Sequence, residues 1–459
     1  MVRCLLPLGA ALLGAYTVAA QETAKCSLEK KCPKETPCCS QYGECGIGAY
    51  CLGGCDPRMS FSLDACVPAP VCESKVYPMT SLDRVVDVGK YFGDPSKADW
   101  VSQGEPLLYN GNVLLTMPKQ SVGTVLASTT YMWYGNVKAR VKTSRGQGVV
   151  TAFILLSDVK DEIDYEWVGT DLTVAQTNYY FQGVPDYQNS GNITGLSDTF
   201  NNFHDYEIRW TPDEITWLVD GKVGRTKKRS ETWNATANQW NYPQSPARVQ
   251  LSIWPGGAET NAKGTIDWAG GPIDWNSEDI QNYGYDFATF GQVEVECYNA
   301  TSGPGTNSKT SYTYSDARGT NDTIVDGDRG TILKSFSGTG LDMNAGGSSS
   351  SSGASASGTA TKSASGAVAS VPGGTASGPG SSPGEQGDGV SSAGSGDGAG
   401  GSSTGSSAGC QATGFSQDCG GSSSSSGNGG TNAGARVVER TVGASALAVL
   451  VAVGGMMWL

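Results

Sequence analysis

The 459-residue chain holds one histidine, His204, and its 31 basic residues are outnumbered by 44 acidic ones. One imidazole excludes a multi-histidine metal centre and leaves room for at most one Ser-His-Asp triad. Within an alternating apolar stretch, His204 reads as a satisfied structural side chain. A formal net charge of −13 offers no basic stripe to a nucleic-acid backbone, so no nucleic-acid partner is expected. From about Ser74 to Tyr298 there is no long amphipathic helix. Cysteine is scarce after Cys72, where only Cys297, Cys410 and Cys419 follow. Long apolar runs occur only at the two ends.

Those ends read as targeting segments. Met1-Val2-Arg3 carries charge, Cys4 to Ala20 is apolar, and Val18-Ala19-Ala20 precedes Gln21, the pattern of a secretory signal peptide over residues 1–20. At the other end Val442 to Leu459 is apolar to the last residue with no basic stop. Small residues Asn428-Gly429-Gly430 and a polar spacer precede it. This fits a GPI attachment signal with Asn428 as the attachment residue, Asn432 as the alternative, and residues 429–459 as propeptide. The expected location is therefore extracellular, in the cell wall and anchored to the outer leaflet of the plasma membrane. Residues 302–428 lose pattern, and from Ala345 to Gly430 the chain is mostly Ser, Gly and Ala, too poor in apolar area to offset ordering entropy, so residues 302–428 read as a flexible, disordered stalk.

Nine cysteines crowd into residues 26–72: Cys26, Cys32, Cys38, Cys39, Cys45, Cys51, Cys55, Cys66 and Cys72. So short a segment cannot bury a core of its own, and in an oxidising compartment disulfides must staple it. Nine is odd, so one must pair outside, and Cys297 is the obvious partner because Cys410 and Cys419 can close a local loop. Zinc is the competing reading of clustered cysteine. Secretion and the adjacent Cys38-Cys39 favour disulfides, and neither metal nor cofactor is expected.

Residues 74–301 alternate. Asn136 to Lys142, His204 to Trp210, Ile215 to Asp220 and Val249 to Trp254 each read as half-buried strands, with Asp220-Gly221 as a hairpin turn. Many short strands and no long helix give an all-β class, one sandwich or jelly roll. Within it lies Asp161-Glu162-Ile163-Asp164-Tyr165-Glu166-Trp167, after the apolar, β-prone Val149 to Leu156. On a strand, Glu162, Asp164 and Glu166 share one face while Ile163 and Tyr165 share the other. Three acids on one face repel, and folding alone gives no reward for that. Retaining glycosidases need two carboxyl groups roughly 5–5.5 Å apart. Cα atoms at i and i+4 stand about 13 Å apart on a straight strand, so the two Glu side chains must lean together on a curved sheet. Crowded acids cannot all ionise, which separates a charged nucleophile from a protonated acid. Four Asn-x-Thr sequons, at Asn192, Asn234, Asn299 and Asn321, mark candidate glycosylation sites.

Two resemblances follow. Cys32 to Cys51, with Cys38-Cys39-Ser40-Gln41-Tyr42-Gly43-Glu44-Cys45-Gly46 and Tyr50-Cys51, resembles the hevein-like chitin-binding module, placed at residues 21–73. In that family a Ser and three aromatic rings form the sugar-stacking face. Ser40, Tyr42 and Tyr50 match, whereas Glu44 replaces a ring, which implies weak chitin binding or a structural cap. The larger region resembles glycoside hydrolase family 16 and its fungal Crh-type cell-wall transglycosidases. The carrying residues are Asp161–Trp167, Phe203-His204-x-Tyr206-x-Ile208-x-Trp210-Thr211-Pro212, Trp217-x-Val219-Asp220-Gly221, Ser252–Gly257 and Gly264–Gly271. The resemblance implies a β-jelly roll with a concave sugar cleft, Glu162 as nucleophile, Asp164 as its assistant and Glu166 as acid/base and substrate contact. It implies transfer of chitin to β-glucan by a retaining double displacement, with chitin as donor, and β-glucan or chitin as acceptor. An endo-hydrolase of either polymer is the first alternative. A non-catalytic wall-binding protein is the second, and the intact triplet speaks against it. Arg248, Gln250, Trp254 and Thr265 are expected to contact sugar, and Trp167, Tyr179, Tyr180, Trp254 and Trp268 to supply an aromatic acceptor platform.

Overall fold

The computed structural model describes residues 23–347. The expected signal peptide, Cys410, Cys419, Asn428 and the anchor segment lie outside the described residues. Two eight-stranded sheets dominate. The sheet that carries the acidic triplet is built from β1 (Val85–Asp87), β2 (Trp100–Gln103), β3 (Thr124–Ser128), β4 (Val149–Ser157), β5 (Glu162–Val168), β6 (Val174–Tyr180), β7 (Gly191–Thr194) and β8 (Ala247–Pro255). Its spatial order is β7-β6-β5-β4-β8-β3-β2-β1, antiparallel throughout except for the β1–β2 pair. The second sheet runs Lys222–Lys228, Glu214–Val219, His204–Trp210, Gly135–Lys142, Tyr285–Cys297, Asn112–Pro118 and Pro106–Tyr109, with Lys75–Tyr77 pairing on Tyr285–Cys297.

The expected strands are all present, and so is the all-β sandwich. The Asp220-Gly221 hairpin has φ of 51° and 73° at its two residues, the doubly left-handed turn that matches strand twist and that Asp-Gly tolerates. Between the sheets lies one aromatic-rich core. Ile163, Tyr165 and Trp167 point into it from β5, as do Phe153 and Leu155 from β4 and Val249, Leu251 and Ile253 from β8. Tyr206, Trp210 and Trp217 meet them from the opposite sheet. Burial of such side chains is the main term holding the sandwich together, each worth about 1.5–3 kcal/mol.

One expectation is corrected. Residues 302–347, assigned by composition to the stalk, are folded. Ser311–Tyr314 and Ile324–Gly327 form a three-stranded sheet with Ala69–Pro70, and Tyr312 and Leu333 are 2% exposed. The few apolar residues there are too widely spaced to set a period, yet Tyr312 and Leu333 each find a slot on the existing body, while Val325, Ile332 and Leu341 stay exposed. Two short helices also interrupt the strands, α1 (Lys263–Trp268) and α2 (Glu278–Tyr283).

The cysteine-rich segment is cross-linked by Cys26–Cys39, Cys32–Cys45, Cys38–Cys51 and Cys55–Cys66. Cys26, Cys32 and Cys39 lie close enough to hold a metal, but all three are consumed in these bridges. The odd cysteine pairs as expected, Cys72 with Cys297, across a sequence separation of 225. Closing so long a loop restricts the unfolded chain strongly, by about 5 kcal/mol in the chain-entropy model. Replacing both Cys72 and Cys297 by Ala is expected to destabilise the fold by about 2–5 kcal/mol, read as a lower denaturant midpoint; an unchanged midpoint would remove the bridge from the stabilising terms.

Candidate active site

Strand alternation creates the site. With Ile163, Tyr165 and Trp167 fixed in the core, Glu162, Asp164 and Glu166 must leave β5 on the face away from the second sheet. The core side is held firmly. Tyr165 stacks on Trp167 with centroids 5.8 Å apart, and its hydroxyl donates to the Leu218 carbonyl at 2.8 Å. Trp217 Nε1 donates to the backbone carbonyl of Asp164 at 3.0 Å. The middle acid is thus pinned through its own main chain.

Register gives the neighbours of each acid. Glu162 stands opposite Tyr180 on β6 and Leu156 on β4; Asp164 opposite Asn178 and Ile154; Glu166 opposite Gln176 and Ala152. Ala152, Ile154 and Leu156 form a small apolar floor beside the carboxylates. Beyond Glu166 the face ends in Val150, Val168 and Trp254, with Trp268 of α1 stacked on Trp254 at 6.0 Å. Trp268 Nε1 donates to Gln176 Oε1 at 2.8 Å, which ties α1 to the polar row beside Glu166.

The three acids are 1%, 0% and 1% exposed, and none of their six carboxylate oxygens accepts a hydrogen bond from a group outside the triplet. Desolvation raises all three pKa values, Asp164 to about 7. For Glu162 the adjacent Asp164 charge adds to burial; for Glu166 Asp164 does the same. Glu162 and Asp164 are within hydrogen-bonding reach, a contact that turns favourable only when the pair holds one proton. Lys160, two residues ahead on the same side, is 2% exposed, and burial lowers its pKa to about 8; its charge acts on Glu162 in the opposite sense to Asp164.

Other expected residues divide. Tyr180, Trp254 and Trp268 border the acid face, whereas Trp167 and Tyr179 belong to the inter-sheet core, because Trp167 alternates with Glu166 and Tyr179 sits opposite Ile163. Arg248 and Gln250 do stand in the rows of Glu162 and Asp164, two strands away. Both are turned toward Gln41 of the cysteine-rich segment. Thr265 is fully buried in α1 with an unpartnered hydroxyl.

The residues expected to form a sugar-stacking face, Ser40, Tyr42 and Tyr50, are 3%, 4% and 4% exposed. Ser40 Oγ accepts from the Tyr42 and Glu44 amides, and the Tyr42 hydroxyl donates to Gln103 of β2. These residues serve internal packing and docking. His204 is satisfied on both ring nitrogens, Nδ1 by Asp220 at 2.8 Å and Nε2 by Ser197 at 2.9 Å. Asn192 and Asn299 are exposed, Asn234 and Asn321 half-buried. Gln176 and Asn178 escaped the sequence reading. Their alternation with Ala175 and Thr177 on β6 was the available signal.

Residues 94–270 match the family model for glycosyl hydrolases family 16. Crh-like protein 3 of Botryotinia fuckeliana is 67% identical over 339 residues, covering 74% of this chain and 76% of that protein. Crh-like protein 2 of Aspergillus fumigatus is 55% identical over 355 residues, covering 76% and 80%. Congo red hypersensitive protein 2 of Saccharomyces cerevisiae is 45% identical over 341 residues, covering 73% of each. Among solved structures, apo Crh5 transglycosylase aligns with a TM-score of 0.47 at 29% identity, over 59% of this chain and 99% of its own.

The raised carboxyl pKa values fix a sign for stability. A carboxyl whose folded pKa exceeds its unfolded value of about 4 favours folding when protonated and opposes it once charged. The opposition grows as pH rises from about 4 through the folded pKa, about 7 for Asp164. Asp164→Asn is therefore expected to raise Tm by about 5 °C or more at pH 8 and by little at pH 4. Melting curves across that range check it; a loss of stability at pH 8 would contradict the assignment.

Proposed function

The chain belongs to the Crh-like proteins of glycosyl hydrolase family 16, and on that premise we propose that it cleaves chitin and transfers the fragment to β-glucan by a retaining double displacement. It is a glycosidase-type enzyme acting on polysaccharide. The observation that carries the chemical assignment is the pair of buried glutamates, Glu162 and Glu166, on one strand face with no carboxylate oxygen taken by a donor outside the acidic triplet. Chemistry needs those lone pairs and protons for the substrate.

Glu166, held protonated by burial, donates its proton to the leaving glycosidic oxygen. Glu162 attacks the anomeric carbon, and the proton it shares with Asp164 moves to Asp164 as the glycosyl ester forms. Asp164 suits this task because its pKa of about 7 lets it take and return the proton near neutrality. The leaving sugar departs. An acceptor hydroxyl enters, gives its proton to Glu166 and displaces Glu162 with restored configuration. Gln176, Asn178 and Tyr180 are positioned by register to hydrogen-bond sugar hydroxyls beside the three acids, one per acid. The apolar strip of Ala152, Ile154 and Leu156 and the Trp254–Trp268 pair favour sugar CH faces over water, which supports transfer over hydrolysis. Action at the cell wall, with a lipid anchor joined at Asn428, agrees with the end segments of the sequence.

Chitin oligosaccharide donor mixed with a fluorescent β-1,3-glucan acceptor separates the outcomes. A fluorescent coupled product means transfer; shortened donor alone means hydrolysis and would displace the proposal. Glu162→Gln is expected to abolish both, because an amide cannot form the ester. Glu166→Gln is expected to lower turnover of natural donor by about 10²–10⁴-fold. With an aryl glycoside, whose leaving group needs no proton, the first step recovers and release of the phenol shows it.

A further inference from the structure

The acid face is a grid whose rows run across the strands. The Glu162 row ends at Arg248, the Asp164 row passes through Gln250, and the Glu166 row reaches Gln103 on β2. A polysaccharide lying over the acids follows these rows, because Trp254 and Trp268 close the face beyond Glu166, and Lys160, donating to the Gln41 carbonyl at 2.8 Å, closes it before Glu162. At the β7 edge the Glu166 row runs out at Asn192, which is exposed.

At the other end the cysteine-rich module touches all three rows. Arg248 Nη2 donates to Gln41 Oε1 at 2.9 Å, and Gln250 Nε2 reaches the same oxygen at 3.4 Å. The Tyr42 hydroxyl donates to Gln103 Oε1 at 2.6 Å. Just beside this line the Gly54 amide donates to Asp158 Oδ1 at 2.9 Å. The seam is tight: a Cβ on Gly53 would sit 2.5 Å from Arg248 Nη1. Between module and sheet there remains a cavity of about 60 Å³, room for a few water molecules. Groups that would bind sugar along this arm are already bonded to the protein itself.

We infer that the cysteine-rich module is the end wall of the catalytic groove, so that the arm over β4 and β8 receives the end of a polysaccharide and never its interior. From β5 to the wall is two strand spacings, about 10 Å, on the Glu162 and Asp164 rows, where it meets β8, and four, about 19 Å, on the Glu166 row, where it meets β2, which leaves length for two to four sugars. This deepens the transglycosidase reading and rests on it. The scissile bond must then lie at a fixed short count from one end of the donor, whatever the donor's length.

The test uses the full chain with end-labelled chitin oligosaccharides of increasing length, and β-1,3-glucan oligosaccharides in parallel, and reads the cleaved bond by mass spectrometry. Cleavage at one unchanging distance from the same end across the series is the expected result. Cleavage that spreads toward the middle as the donor lengthens overturns the end wall and leaves the transglycosidase reading intact. Cleavage of the glucan series alone overturns chitin as donor, and its pattern still decides the wall. No cleavage of either series overturns both.

Discussion

Three carboxyl groups are forced onto one face of β5 by the side chains they alternate with, and the rest of the molecule is arranged to make that tolerable. Repulsion and desolvation both act against the charged triplet. The counterweight lies one residue away in each direction, where Ile163, Tyr165 and Trp167 are buried in an aromatic core. Rotating the acids away would require β5 to slip by one residue, which would expose that entire set. The sandwich thus stores an unfavourable electrostatic arrangement by coupling it to hydrophobic burial through the two-residue period of a strand. Protonation relieves the remaining crowding, and a proton that Glu166 can give and take back is what a double displacement requires.

Much of this was legible in the sequence because it depends on local rules. Alternation located the strands, Asp220-Gly221 announced its turn, and the spacing of Glu162, Asp164 and Glu166 fixed a common face without reference to any partner strand. Residues whose meaning depends on register were harder. Trp167 and Tyr179 are aromatic and close in sequence to the acids, yet both point into the core. Gln176 and Asn178 look unremarkable until pairing sets them beside Glu166 and Asp164. Residues 302–347 carried too few apolar side chains to declare a fold, because their core is supplied by segments distant in the chain.

The cysteine-rich module shows the same limit at larger scale. Its bridges and its aromatic positions are readable motifs, and a motif says which side chains are available. It does not say what they face. Ser40, Tyr42 and Tyr50 retain the residue types of a sugar-binding surface while being folded inward, and the module shares a hydrophobic cluster with Tyr91, Val101 and Leu333 of the main body. The buried Asp56–Arg58 pair reaches the body as well, through Arg58 Nη1 to Gln182 at 3.0 Å. A segment so fastened behaves as part of the enzyme's own wall.

The Cys72–Cys297 bridge makes the intervening sandwich a covalent ring. Proteases attack exposed loops first, and one cut anywhere inside this ring severs the backbone without producing two molecules. Both pieces stay joined at the bridge, and the sheet ladders hold them in register. A nicked copy therefore keeps its site assembled and its fragments together, and only a reducing environment would let the damage become a loss.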